Sequence, residues 1–216
     1  MSSQSQIHGF TFENSIRENV FNLPSESNNT DIHDIPKNKN IFNINENCSI
    51  KTTGSHTICC GDIIRFYNYN FDEQNTIIVV KYKQTQDKKI VENIYEIDYN
   101  KECHMHLFGD LPKHILEDYV SRVKKIPKKI KGDKALDIYN YKYEKKIISD
   151  KYKFNIVINP KVDSSQSRVQ CSIPNFTDKL KKFIKYKSSK ESPFTIRGKK
   201  IVFEINSCRR KRNKKI

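Results

Sequence analysis

Strand-like patterns of apolar and polar residues lie in the middle of the chain. Residues 76–83 contain a continuous β-branched run, which is typical of a central strand buried on both faces. Residues 47–53 and 93–99 alternate with a two-residue period, as half-buried strands do. In the first of these alternating strands, Ser49 and Lys51 share the polar face. Lys51 therefore belongs either to a half-buried ion pair or to a reactive centre.

Helices are predicted where apolar residues recur at three- and four-residue steps. The first such pattern covers residues 10–21 and must end before Pro24. Further helices are predicted at residues 113–123, 135–148 and 176–186. Residues 57–66 fit either a buried helix or a loop that leads into one, and the spacing of their apolar residues favours the helix.

Shorter extended segments complete the predicted secondary structure. They are expected at residues 31–35, 41–44, 154–158 and 168–173, with a hairpin that joins 194–197 to 201–205. Only 36% of the residues are apolar and tryptophan is absent, so the core must rely on Ile, Val, Phe and Tyr, which favour strands. A chain of 216 residues suits one domain with a small appendage. We therefore expect an α/β fold with a basic, β-rich C-terminal region.

The charge of the chain is unevenly distributed. Residues 1–100 contain 9 Lys and Arg against 13 Asp and Glu, whereas the remaining 116 residues contain 31 against 12. The net charge is therefore −4 in the first part and +19 in the second, for +15 overall. A polyanionic partner fits the basic part, and nucleic acid is the commonest such partner. The alternative is a solvated basic surface that reflects an A/T-rich coding sequence.

Neither a membrane nor a secretory route is expected from the sequence. The longest aliphatic run, residues 77–80, is far shorter than the roughly 20 residues of a membrane helix. Residues 1–10 lack the charged and apolar regions of a signal peptide. The six cysteines show no paired spacing, so reduced thiols in the cytoplasm are expected. In a eukaryotic host, residues 209–215 could instead direct the protein to the nucleus.

The order of elements around Lys51 points to a known family. A helix with Glu13 is followed by a strand with Asp34, by the Ser49-Ile50-Lys51 strand and by the central hydrophobic strand. Over residues 8–84 this order resembles the PD-(D/E)XK nuclease superfamily, which includes many type II restriction endonucleases. The resemblance implies a restriction endonuclease-like core, in which a mixed central β-sheet is flanked by helices. It also implies that Glu13 and Asp34 hold Mg²⁺ and that Lys51 orients or helps deprotonate the attacking water.

Ser49 departs from the family pattern, because it stands where an acidic residue is expected. Mg²⁺ requires hard oxygen ligands, and a serine hydroxyl is a weak substitute for a carboxylate. Some members of the family recruit the missing acid from a neighbouring element, and here Asp62 is preferred over Glu46 for that role. His33 and Gln84, the latter at the end of the central strand, are further candidates for the site.

The basic part of the chain offers residues for nucleic-acid contact. On the predicted strand 168–173, Arg168, Gln170 and Ser172 share one face, and Arg and Gln can read guanine and adenine through paired hydrogen bonds. An ordinary exposed strand is the alternative. Contacts to phosphate without sequence preference are expected from Lys124, Lys125, Lys128, Lys129, Arg209 and Arg210.

These observations lead to one principal hypothesis, a Mg²⁺-dependent DNA endonuclease that cleaves double-stranded DNA as a homodimer. Its expected organisation is a nuclease core at 1–123, a lysine-rich connection at 124–134, a basic DNA-contacting region at 135–208 and a basic tail at 209–216. One alternative is a basic nucleic-acid-binding protein with a degenerate nuclease fold and no catalysis. Another is an RNA-directed protein whose tyrosines in residues 139–143 stack on bases.

Overall fold

The computed structural model describes residues 4–25, 32–85, 88–127, 137–163, 166–189, 193–203 and 205–206. The α-helices in these ranges are Gln4–Asn19 (α1), Ile63–Tyr67 (α2), Lys101–Phe108 (α3), Lys113–Lys124 (α4), Asp137–Tyr152 (α5) and Phe176–Lys179 (α6). The strands are Glu46–Thr53 (β1), Ile58–Asp62 (β2), Gln74–Thr85 (β3), Lys88–Asp98 (β4), Val157–Val162 (β5), Ser167–Ile173 (β6), Ile184–Ser189 (β7), Thr195–Ile196 (β8), Lys199–Lys200 (β9) and Ile205–Asn206 (β10). Single 3₁₀ turns lie at Lys37–Lys39 and Lys181–Phe183. The fold is mixed α/β with a central sheet flanked by helices, which confirms the predicted class at this level.

The chain forms two compact units, each assembled from separate segments. The described parts of Met1–Ser55, Asn75–Ile97 and Ile184–Ile216 make the first unit, and those of His56–Gln74 and Asp98–Phe183 make the second. This division differs from the linear order of core, connection and basic region that composition suggested. The physical reason is that strands far apart in sequence pair within each unit.

A five-stranded sheet forms the framework of the first unit. Its strand order is β1–β3–β4–β10, and β7 also pairs with β4. β7 runs antiparallel to β4 from Asn93 to Ile97, and β10 pairs with the other end of β4 at Lys88 and Lys89. β3 lies inside the sheet and is buried from residue 75 to residue 80. The prediction of a central strand covered on both faces is therefore confirmed.

Helix α1 supplies the apolar cover of this sheet. Phe12 and Ile16 are fully buried and share one core with Ile78 and Val80 of β3. Phe12 also stacks on Tyr82, with 5.6 Å between the ring centroids. The helical pattern of residues 10–21 thus predicted a real helix, although α1 begins earlier in the chain, at Gln4.

The second unit contains a three-stranded antiparallel sheet in the order β2–β6–β5. Val169, Cys171 and Ile173 of the central strand β6 are fully buried on one face. Nearby, the ring of Phe66 stacks on that of Tyr99, with 4.5 Å between the centroids. Helices α4 and α5 pack against β6 and β5, respectively. The predictions of α4 and β6 are confirmed, and so is α5, which continues to Tyr152 instead of ending at residue 148.

Two segments predicted to be helical contain strands. Residues 58–62 form β2, which pairs with β6. The register of this pairing shifts between Cys59 and Gly61. Gly61 has a φ of 81°, a left-handed conformation that glycine adopts without strain. The helix predicted at 176–186 ends early, and residues 184–189 pair with β4 as β7. Helix α3, which the apolar pattern did not predict, begins where the side chain of Asn100 accepts a hydrogen bond from the Cys103 N–H.

Several predicted strands are shorter or differently placed. Residues 32–35 contribute one bridge, between Ile35 and Cys48, and residues 41–44 form turns. The predicted C-terminal hairpin is tighter than expected, because β8 and β9 pair directly around residues 197–198. β5 begins at Val157 instead of residue 154. β1 is buried on both faces from Glu46 to Ile50, so the expectation of a half-buried strand was wrong for that part.

No helix in the described ranges is long and apolar enough to cross a membrane.

Candidate active site

Asp34 and Lys51 form an ion pair beside strand β1. Lys51 Nζ lies 3.5 Å from Asp34 Oδ2, and the same oxygen accepts a hydrogen bond from the backbone N–H of Ile50. The two side chains are 19% and 22% exposed, for Asp34 and Lys51 respectively. The carboxylate is therefore held in place by the strand while it remains accessible from solvent.

The chain segment that carries Asp34 is fixed from two sides. Ile35 and Cys48 exchange two backbone hydrogen bonds of 2.9 and 2.8 Å, which sets the segment against β1. On the other side, Arg17 of α1 donates hydrogen bonds to the backbone oxygens of Asp34 and Pro24. Arg17 is almost completely buried. A buried arginine thus ties α1 to the backbone at the candidate site.

Ser49 and His33 lie next to this ion pair. Ser49 is buried, and its Oγ lies 3.5 Å from His33 Nδ1. Ser49 and Lys51 project from the same face of β1, because alternate residues of a strand do so. The structure therefore brings together four of the residues singled out from the sequence: His33, Asp34, Ser49 and Lys51.

Glu13 and Gln84 are related to the Asp34–Lys51 pair only through the elements that carry them. Glu13 is half-buried on α1, one turn before Arg17. Residues four apart share a helix face, so Glu13 lies on the face whose Arg17 contacts the Asp34 segment. Gln84 is exposed near the end of β3. Their roles at the site stay predictions.

The two acids considered as replacements at Ser49 have other partners. Glu46 is fully buried and accepts hydrogen bonds from Arg197 at 2.9 and 2.7 Å and from Thr76 at 2.5 Å. Burial alone would raise the pKa of Glu46, but the hydrogen bonds from Arg197 and Thr76 hold that pKa below its ordinary value. Asp62 belongs to the second unit, where it accepts the Arg65 N–H at 3.0 Å as the N-cap of α2.

Arg197 contacts two buried acids, and the sequence analysis did not single it out. It sits in the β8–β9 turn with a φ of 52° and also donates a 2.5 Å hydrogen bond to buried Glu96. One guanidinium therefore connects β1, β4 and the hairpin. The only sequence signal is a basic residue before Gly198, and nothing distinguishes it from the other 39 Lys and Arg residues of the chain.

The site offers one accessible carboxylate for Mg²⁺ and no complete set of protein ligands among the described residues. Within the described part of the chain, no three His, Cys, Asp or Glu side chains are grouped so that they could hold a metal ion. Mg²⁺ is often bound by one or two carboxylates, with waters and substrate phosphates completing its octahedron. Asp34 supplies one accessible carboxylate of this kind. Glu13 is the candidate for a second.

The three residues predicted to read bases share one face of β6, and two of them have partners within the protein. Arg168, Gln170 and Ser172 lie on the face of β6 opposite Val169, Cys171 and Ile173. Arg168 is 3.1 Å from Asp163, and Ser172 is buried and accepts a hydrogen bond from Asn159. Lys124 and Lys125 are exposed, and Lys124 lies 3.8 Å from Asp62. Lys128, Lys129, Arg209 and Arg210 lie outside the described residues.

Comparisons with protein-family models, with curated proteins and with solved structures find no match to the chain.

Proposed function

We propose that this protein is a Mg²⁺-dependent endonuclease that hydrolyses phosphodiester bonds in double-stranded DNA, with restriction-like, sequence-specific cleavage. The observation that carries the proposal is that Asp34 and Lys51 come together beside Ser49 and His33, with the Ile50 N–H holding the Asp34 carboxylate. The ion pair alone fits equally the half-buried pair that the sequence offered as the alternative to a reactive centre. An acid from one segment meets a lysine on the next strand, and this is the arrangement that the Ser49-Ile50-Lys51 motif implies.

Each residue of the site then has a defined task. Bound Mg²⁺ supplies water activation and neutralises charge on the phosphate. Asp34 would hold the ion, and Glu13 is the candidate for a further carboxylate ligand. The Lys51 ammonium, 3.5 Å from Asp34 Oδ2, orients the attacking water and stabilises negative charge on the phosphate. Ser49 takes the position of the missing acid and orients His33 through their contact.

Double-stranded DNA is the proposed substrate because of the charge of the chain. The net charge of +15 favours a polyanion, and the excess of Lys and Arg falls in residues 101–216. Cleavage of both strands requires two active sites, which a homodimer supplies.

The proposal is tested with plasmid DNA incubated with and without Mg²⁺. Asp34→Ala and Lys51→Ala should each reduce cleavage by about a hundredfold or more, the range seen when a transition-state contact is lost, while DNA binding persists. Lys81→Ala is the matched control, since Lys81 also has a mostly buried side chain and lies 3.9 Å from an acid, Glu92. Full cleavage by both site variants would refute the proposal.

A non-catalytic nucleic-acid-binding protein is the second candidate. It is favoured by Ser49 at the acid position and by Glu46, whose carboxylate is bound by Arg197. Retardation of DNA in a gel without Mg²⁺-dependent fragments would support this reading. Competition between duplex DNA and single-stranded RNA would show which nucleic acid is preferred.

A further inference from the structure

The loop of residues 36–45, which we name the asparagine loop, has an inverted polarity. It joins the Asp34 segment to strand β1. Asn40 is buried, with 3% of its surface exposed, whereas Ile41 is 55% exposed and Ile44 is 86% exposed. A surface loop normally turns its amides to water and its aliphatic side chains to the core. Here the Asn40 amide lies inside and Ile41 and Ile44 lie outside, whereas Asn38 and Asn45 are exposed in the ordinary way.

The inversion is built by side-chain hydrogen bonds within the loop. The Asn40 amide donates to the Glu46 backbone oxygen at 3.0 Å and to Glu46 Oε2 at 3.2 Å. Its oxygen accepts the backbone N–H groups of Phe42 and Asn43 at 3.0 and 3.2 Å. Asn43 in turn accepts the N–H of Asn45 at 3.0 Å. The loop is therefore ordered by hydrogen bonds among its own polar groups and to Glu46, the first residue of β1.

The same hydrogen bonds place the apolar residues at the surface. Phe42 packs edge-on against Phe21 of the core, with 5.4 Å between the ring centroids, and is still 36% exposed. Ile41 and Ile44 extend outward from this base. An ordered group of exposed apolar side chains is a feature of binding surfaces. A rigid loop also loses little conformational entropy when it binds.

The charge of the loop indicates the partner. Residues 36–45 include Lys37 and Lys39 and contain no acidic residue. Nucleic acid matches this combination, because lysines contact phosphates while aliphatic side chains can enter between base steps and unstack them. The loop also lies next in the chain to Asp34, so a duplex held there is presented to the candidate catalytic residue.

We infer that the asparagine loop is a DNA-binding wedge, in which Ile44 enters a base step and Lys37 and Lys39 contact the flanking phosphates. This inference rests on the proposed function, because it takes duplex DNA as the substrate. It adds a mode of binding that Asp34 and Lys51 do not specify, namely local unstacking of the duplex beside the bond to be cut.

The test uses the full chain, EDTA to prevent cleavage, and duplexes that carry 2-aminopurine at successive positions. Wild-type protein should raise the 2-aminopurine fluorescence at a discrete step, since unstacking relieves quenching. Ile44→Ser should abolish that rise and weaken duplex binding about tenfold, in line with the loss of one buried aliphatic side chain. Val202→Ser is the matched control, because Val202 is another aliphatic residue of the first unit and is 82% exposed.

The outcomes separate this inference from the nuclease proposal. If Ile44→Ser binds and unstacks DNA as the wild type does, or if Val202→Ser loses as much, the wedge is refuted even when cleavage depends on Asp34. If the wild type unstacks DNA but never cleaves it, the wedge stands and the nuclease proposal fails. Loss of self-association or of binding to anionic lipid vesicles in Ile44→Ser, without an effect on DNA, would overturn the wedge in favour of another occupant.

Discussion

At the scale of single residues, the most consequential contact is that of Arg197 with two buried acids. Glu46 is fully buried, Glu96 is nearly so, and the guanidinium reaches both. Removing one member of such a group leaves an uncompensated buried charge, which costs far more than the pair contributes. The fixed, planar fork of arginine is what allows one side chain to contact acids on two strands.

We expect Arg197→Met to reduce the free energy of unfolding by about 3 to 5 kcal/mol, the range for a broken buried ion pair. The measurement is urea unfolding at neutral pH. Arg122→Met is the control, because Arg122 also makes a paired contact to one carboxylate, that of Glu144, but both side chains are more exposed, at 37% and 31%. Its cost should stay within about 1 kcal/mol. Equal losses in both variants would contradict the role assigned to burial.

A second residue-scale prediction concerns His104 and pH. Burial among Tyr67, Phe71 and Phe108 lowers the pKa of His104 from 6.5 to about 4. The unfolded chain therefore binds a proton that the folded chain does not between these two values. This contribution to stability is present above pH 6.5 and is lost as the pH falls toward 4, with about 2 kcal/mol lost by pH 5.

The measurement is urea unfolding of the wild type and of His104→Phe at pH 7 and pH 5. The variant keeps the aromatic packing and should lose most of the difference between the two pH values. His114→Phe, at an exposed position of α4, serves as the control. If His104→Phe shows the same loss of stability between pH 7 and pH 5 as the wild type, the loss comes from other titratable groups.

At the scale of elements, strand β2 gives a test of alternation. Cys59 is exposed and the adjacent Cys60 is buried, as successive residues of a strand are. In a Cys208→Ser background, iodoacetamide should modify Cys59 at the rate of a free thiol. Cys60 and Cys103 should react at least tenfold more slowly, since burial excludes the reagent and raises the pKa of Cys103 to about 12. Peptide mass mapping measures the modification of each cysteine. Rapid modification of Cys60 would contradict its buried position on β2.

Sequence patterns predicted the elements in which one physical signal dominates. The β-branched run of β3 and the helical spacing of α4 were sufficient, because burial and periodicity agree there. The segments of β2 and β7 carry spacings that also fit a helix, and pairing with distant strands decides their structure. The ion pair of Lys51 with Asp34 was among the expectations from the sequence, whereas the contacts of Arg197 were not. Its partners Glu46 and Glu96 come from strands 100 or more residues earlier in the chain.

At the scale of the whole molecule, the net charge of +15 predicts strong salt dependence of DNA binding. Each phosphate neutralised by Lys or Arg releases counterions, so affinity falls steeply as salt rises. We expect the affinity for a duplex to fall by about tenfold or more between 50 and 200 mM NaCl. The dissociation constant for a labelled duplex is measured by fluorescence anisotropy at each salt concentration, with EDTA present to prevent cleavage. Binding that is independent of salt would rule out a phosphate-dominated interface.

The segmented construction of the first unit also bears on its synthesis by the ribosome. The second unit ends at Phe183, whereas the first unit still requires β7 and Arg197. Until residue 197 has left the ribosome, Glu46 and Glu96 lack the cation that makes their burial tolerable. The nascent chain can therefore complete the second unit while the candidate active site is still unformed. A chain cut short before residue 197 would therefore contain a folded second unit and no completed Asp34–Lys51 site.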